Sequence, residues 1–172
     1  MKKNKIIGIV CIMLVLLCCL VGCSYDSFNA KKAKTATITA TIAHADGVVM
    51  QKIESTFTKA GKAYSYVTKT YKLNSLDSGS TSMYATEEKT GESASFNVPS
   101  WEKTDFETIF ETSKTKLSGT ISAQKIESLG ITDYIGDVTV ELQLKNDRIV
   151  SMVVSYTTIK GFVANITATM TY

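Results

Sequence analysis

Cysteine is absent after residue 23: Cys11, Cys18, Cys19 and Cys23 all fall in the first 23 of 172 residues. The rest of the chain can therefore build neither a disulfide framework nor a thiolate metal site. His44, Pro99, Trp101 and Arg148 are each the sole residue of their type. A metal centre normally takes three or four donors, so one histidine makes a bound metal unexpected. The glycines stand singly as turn residues and form no phosphate-cradling loop. Serine is plentiful but occurs in no Gly-x-Ser-x-Gly elbow. These absences argue against an enzyme, and no cofactor is expected.

One long apolar run is present, at residues 6–21, preceded by Lys2, Lys3 and Lys5 and free of charge. It is about 16 residues long, shorter than the ~20 a helix needs to span the hydrocarbon core. A basic start, an apolar stretch and then small residues form the order of a secretory signal peptide. Its end, Leu20-Val21-Gly22-Cys23, resembles the lipobox of bacterial lipoproteins. That resemblance implies cleavage between Gly22 and Cys23, with diacylglycerol attached to the Cys23 thiol and an N-acyl group as a possible addition. It also implies anchorage at the extracytoplasmic face of the cell membrane. The expected organisation is a signal peptide at 1–22, a lipidated tether at 23–34 and one domain at 35–172.

The formal charge of +3 belongs to the signal segment. Without Lys2, Lys3 and Lys5, the remaining 16 Lys and Arg equal the 16 Asp and Glu. A near-neutral domain gives no basic face for nucleic acid. About 150 residues suit a single domain, large enough to bury roughly 70% of its unfolded surface without a staple. In the tether, Lys31, Lys32 and Lys34 either contact anionic headgroups or are simply solvated.

From Thr35 the pattern has period two. Ala36, Ile38, Ala40 and Ile42 alternate with Thr35, Thr37, Thr39 and Thr41, which predicts a strand with one buried face. Asp46-Gly47 marks a tight turn. Strands follow at about 48–58 and 63–73, a loop at 74–82, a weaker strand at 83–88 and a further one at 94–98. The last forty residues read as three strands. Val138, Val140, Leu142 and Leu144 lead to a turn at 145–148, Val150, Met152, Val154 and Tyr156 return, and Phe162 to Tyr172 alternates to the end. This is an antiparallel meander with one dry and one wet face.

Mid-chain, the period changes. Thr104-x-x-Glu107 fits a capping box, and Phe106, Ile109, Phe110 and Leu117 predict a helix. Ser122 as N-cap, Ile126 and Leu129 inward, and Gly130 as stop predict a second, short one. The expected class is α+β: a curved antiparallel sheet of seven or eight strands, with one or two helices inserted mid-chain on its concave face. Such an architecture resembles the half-barrel of the LolA and mycobacterial LppX/LprG lipoprotein-carrier group, with some likeness in Asn146-Asp147-Arg148-Ile149-Val150-Ser151-Met152. The resemblance implies a non-catalytic carrier or sensor of a lipid or acyl chain, and it transfers no individual ligand contact. An envelope accessory module that binds a protein or the cell wall is the alternative; in either case a monomer is expected.

Candidate side chains are few. His44 and Asp46 form either a ligand pair or a turn. Glu87, Glu88 and Glu92 form either paired carboxylates or solvated acids. Tyr64, Tyr66, Tyr71, Tyr156 and Tyr172 line a pocket or edge the core, and Trp101 gates a cavity or packs under a loop. Asn165-Ile166-Thr167 is a glycosylation sequon without weight in a bacterial lipoprotein.

Overall fold

A computed structural model describes residues 33–73, 82–96, 98–113, 115–146 and 148–172. The signal segment, the lipobox with Gly22 and Cys23, and the tether up to residue 32 lie outside these. The nine strands, in chain order, are β1 (Thr35–Ala43), β2 (Val49–Ala60), β3 (Ala63–Leu73), β4 (Met83–Ser93), β5 (Phe106–Ser113), β6 (Lys116–Ile121), β7 (Tyr134–Lys145), β8 (Arg148–Thr158) and β9 (Val163–Thr171). A single 3-10 turn occupies Lys103–Asp105, and the one α-helix among the described residues, α1, is Ala123–Ser128.

All nine strands form one antiparallel sheet of order β4-β3-β2-β1-β9-β8-β7-β6-β5. The first four strands step outward from the centre to one edge. The chain then crosses to the opposite edge through residues 94–105, and the last five strands step back until β9 closes against β1. The sheet begins slightly before Thr35. Ala33 is fully buried, and Lys34 joins the ladder by donating its N–H to Thr171 O (2.7 Å) and accepting from Lys59 N (2.8 Å).

Period-two alternation sorts the two faces. On the inner face, register stacks Ile38 on Ser55 and Ala168, and Ala40 on Ile53 and Ile166. Further along, Met152 lies beside Ala168 and Leu142 beside Met152. The outer face carries Thr37, Thr39, Thr167 and Thr169 in the same ladders.

The molecule is β-rich, with far less helix than the sequence suggests. The predicted helix over 104–117 is instead the 3-10 turn followed by β5 and β6. The turn closes through Asp105, whose Oδ2 accepts from Glu102 N at 2.8 Å, and the backbone becomes extended at Phe106. The segment is rich in aromatic and β-branched residues, which favour strands. As strand neighbours, Ile109 and Phe110 point to opposite faces: Ile109 packs against the core, whereas Phe110 is 62% exposed. The second helix forms as α1. Ser122 Oγ accepts from Lys125 N at 3.3 Å, Ile126 and Leu129 are buried, and Gly130 ends it at φ +69°, a left-handed conformation suited to glycine.

The other corrections concern strands. Among the described residues there are nine rather than seven or eight, β4 runs on to Ser93, and the described residues of 94–98 form no strand. That last stretch begins the crossing, which the lone Pro99 also suits, because proline cannot donate within a central ladder.

Candidate functional site

The inner face holds a cavity of about 350 Å³, at the lower end of the range of small-molecule pockets. Its floor is the centre of the sheet, with Ile38, Ala40, Ile53, Met152, Val154, Ile166 and Ala168. The space has a sequence origin. Along β1 and β9, alanine alternates with a larger residue and register opposes the two types, Ile38 with Ala168 and Ala40 with Ile166. The alanines leave volume that a uniform row of Ile or Leu would fill.

The roof is the crossing segment. Phe96, Val98 and Pro99 line the cavity from above, with Leu129 and Ile131 from the stretch after α1. Two anchors hold the segment down. At its start, Phe96 packs edge-on to Tyr64 at 4.8 Å and against Phe57 at 5.6 Å. At its end, Trp101 is fully buried, with its ring 5.6 Å from Phe106 and Nε1 donating to Met152 Sδ at 3.2 Å. Lys125 from α1 ties the same end. Its Nζ lies 4.8 Å from the Trp101 ring centre, donates to Ser100 O at 2.8 Å and pairs with Asp105 Oδ2 at 2.8 Å. Trp101 therefore packs as core and does not gate the mouth.

Toward β4 the lining becomes polar along the cross-strand rows. Ile38 is followed by Ser55, Thr68 and Lys89, and Ala40 by Ile53, Thr70 and Glu87. Ser55 Oγ and Thr68 Oγ1 share a hydrogen bond of 2.9 Å, and Lys89 Nζ pairs with Glu87 Oε1 at 3.0 Å. Glu92 and Tyr66 complete this flank. Tyr66 fits because residue 91 is glycine: a Cβ there would lie 2.7 Å from the Tyr66 hydroxyl. The cavity is thus apolar over the sheet centre and hydroxyl-rich, then charged, at one side.

The remaining candidates are dispersed. His44 is a turn residue, donating N–H to Val48 O and accepting from Gly47 N, both at 2.9 Å, with its ring 5.2 Å from Phe162. Asp46 Oδ1 caps the same turn by accepting from Val48 N at 3.0 Å. Glu87 and Glu88 are not a carboxylate pair. As strand neighbours they face opposite sides, and Glu88 pairs with Lys69 at 3.4 Å.

Among the tyrosines, Tyr64 donates to Ala33 O at 3.0 Å and Tyr172 to Ile149 O at 2.7 Å. Tyr71 lies on the outer face, 5.5 Å from Lys52 Nζ. Tyr156 is buried, and that burial, aided by nearby Asp133, raises its hydroxyl pKa to about 12. Asn165 accepts from Ser155 Oγ at 2.6 Å. Among the described residues no group of three or more His, Cys, Asp or Glu is placed to hold a metal ion, and no helix is long and apolar enough to cross a membrane.

What sequence reasoning missed is the roof, because Phe96 and Val98 read as a strand. The signal available was Pro99, directly after Val98.

No protein-family model matches the chain, and no curated protein matches it. Solved structures with some likeness include a redesigned β-barrel, 12% identical, covering 77% of this chain and 87% of that one at a TM-score of 0.22. A structure concerning dehydratases from type I polyketide synthases is 10% identical, covering 95% of this chain and 80% of that one at a TM-score of 0.21. Superpositions this poor carry no argument about fold or function.

Proposed function

We propose that the protein is a membrane-anchored, extracytoplasmic bacterial lipoprotein, lipidated at Cys23, whose domain is a non-catalytic carrier or sensor of an apolar ligand. The single observation that carries the ligand reading is the cavity between the sheet and the crossing segment, about 350 Å³ in volume with an apolar floor. Empty apolar space of this size forfeits packing contacts that the surrounding side chains would otherwise make, so an occupant would stabilise the fold. The graded lining suits an amphiphile, with its chain over Ile38, Met152 and Val154 and its polar end near Ser55, Thr68 and Lys89. In the half-barrel lipoprotein-carrier reading, the crossing segment, with the residues after α1, takes the place expected for helices on the concave face.

The test is extraction of the protein purified from its native membrane, followed by mass spectrometry of released lipids and titration with a fluorescent fatty acid. A stoichiometric lipid, or saturable binding displaced by unlabelled amphiphiles, supports the reading. Arrival empty and indifference to such probes overturns it. A stoichiometric protein partner recovered by crosslinking in its place would favour the accessory-module alternative.

A further inference from the structure

The charges of the domain are sorted by end. Antiparallel pairing brings the start of β1, the end of β2, the β2–β3 turn, the β7–β8 turn and the start of β6 to one end of the sheet. Lys34, Lys59, Lys62, Lys145 and Arg148 are exposed there. The register brings them together: Lys59 N bonds to Lys34 O, Lys145 pairs with Arg148, and Thr35 pairs with Thr171. Arg148 is held 5.0 Å from the ring centre of Tyr172, which ties the two halves of the row together. Two acids approach this end: Glu92, exposed near the end of β4 and level in register with Thr58, and Glu141, which is bound to Lys116 at 2.9 Å. The opposite end is mixed in sign, with Asp46, Glu127, Asp133 and Asp137 beside Lys125 and Lys160.

A domain that is neutral as a whole is therefore basic at one end. The row from β2 to β7 crosses five strands, roughly 19 Å at ~4.8 Å per step. It is also the end at which the chain enters the sheet from residue 32, because Ala33 and Lys34 lead directly into β1.

We infer that this basic end is a docking surface for an anionic bilayer, seating the domain on the membrane with its strands rising from the surface. The inference rests on the lipoprotein reading, since the lipid on Cys23 is what brings this end to the bilayer. The lipid supplies the anchor, and a basic end adds about 1 kcal/mol per cation near an anionic surface, which orients the domain on it. The face offered is a row of strand ends and turns, so no strand ladder has to open for contact. In this seating the helix α1 and the His44 turn point away from the membrane.

The test uses the chain from residue 23 onward carrying Cys23→Ser, which keeps every described residue and lacks the lipid. It is sedimented with vesicles of phosphatidylcholine containing roughly one-third phosphatidylglycerol, and with phosphatidylcholine alone. Binding is expected to the anionic vesicles only, and to fall steeply at high salt. Combined Lys59→Glu, Lys62→Glu, Lys145→Glu and Arg148→Glu should abolish it, with about a fivefold loss per cation removed, while circular dichroism shows the fold retained. Lys160→Glu at the opposite end should leave binding unchanged. Equal binding by the four-site variant, or no preference for anionic vesicles, overturns the inference. If the four-site variant fails to fold, the single Lys62→Glu and Lys145→Glu variants decide by their individual losses. Lipid labelling of the wild-type precursor in cells is read separately: labelling without vesicle binding removes the docking surface alone, and vesicle binding without labelling removes the lipoprotein reading.

Discussion

Individual side chains here act mainly by filling or vacating space. Trp101 is fully buried at the crossing point of Phe106, Met152 and Lys125. Trp101→Ala should cost about 3–5 kcal/mol, measured by urea unfolding followed by circular dichroism. Gly119 shows the opposite constraint. A Cβ there would collide with the Thr108 carbonyl oxygen, so Gly119→Ala should push β5 off β6 and cost about 1–3 kcal/mol, with hydrogen exchange accelerating in β5 first. Tyr156 gives a pH signature. Its folded pKa of about 12 lies above the ordinary value of 10.0, so the folded state prefers the protonated phenol. That preference is fully present below pH 10 and is lost as pH rises through about 12. Stability should fall across this window, and Tyr156→Phe should flatten the fall, with tyrosinate absorbance following the titration.

At the scale of elements, the crossing segment is the part on which the cavity depends. Apart from a bridge at Trp101, its described residues lie in no strand, and it is held by aromatic packing at Phe96 and by the Lys125 contacts at Ser100 and Asp105. Lys125→Met keeps most of the apolar stem but leaves the Asp105 carboxylate and the Ser100 carbonyl without their cation. A loss of about 2 kcal/mol is expected, together with faster proteolysis within 94–105. The edges of the sheet are protected unequally. β4 carries Glu87, Glu88, Lys89 and Glu92, charges that discourage pairing with another chain. β5 presents the exposed ring of Phe110.

For the whole molecule, the arrangement separates three tasks along the chain. The segment ahead of Ala33 is the proposed anchor, the basic end of the sheet the proposed seat, and the roofed inner face the proposed ligand site. Cys23→Ser in the precursor should abolish lipid labelling and leave only a membrane association that a high-salt wash removes. Ala40→Phe places a ring over the cavity floor at a half-buried position. It should weaken binding of a fluorescent fatty acid at least about tenfold, consistent with loss of one or more well-packed contacts, while the unfolding midpoint holds or rises. A lowered midpoint with unchanged binding would place the ligand elsewhere.

Local pattern determined much of this protein. Period-two alternation over Thr35–Ala43, and again through β7, β8 and β9, required a sheet with one dry face, because a shift of one residue would turn every apolar side chain to water. Ser122 and Gly130 bracketed α1 by satisfying its end groups. The scarcity of cysteine and histidine was equally legible. Tertiary structure alone decided the rest. Phe106, Ile109, Phe110 and Leu117 satisfy a helical period, yet the hairpin of β5 on β6 prevails, since β6 also pairs with β7, from Thr120 with Thr139 to Lys116 with Gln143, outside any local window. The same holds for the crossing segment, whose Phe96 and Val98 look like strand residues but pack as a roof. The cavity was invisible to any local window: it arises where alanines of β1 and β9, strands separated by most of the chain, are brought into one row.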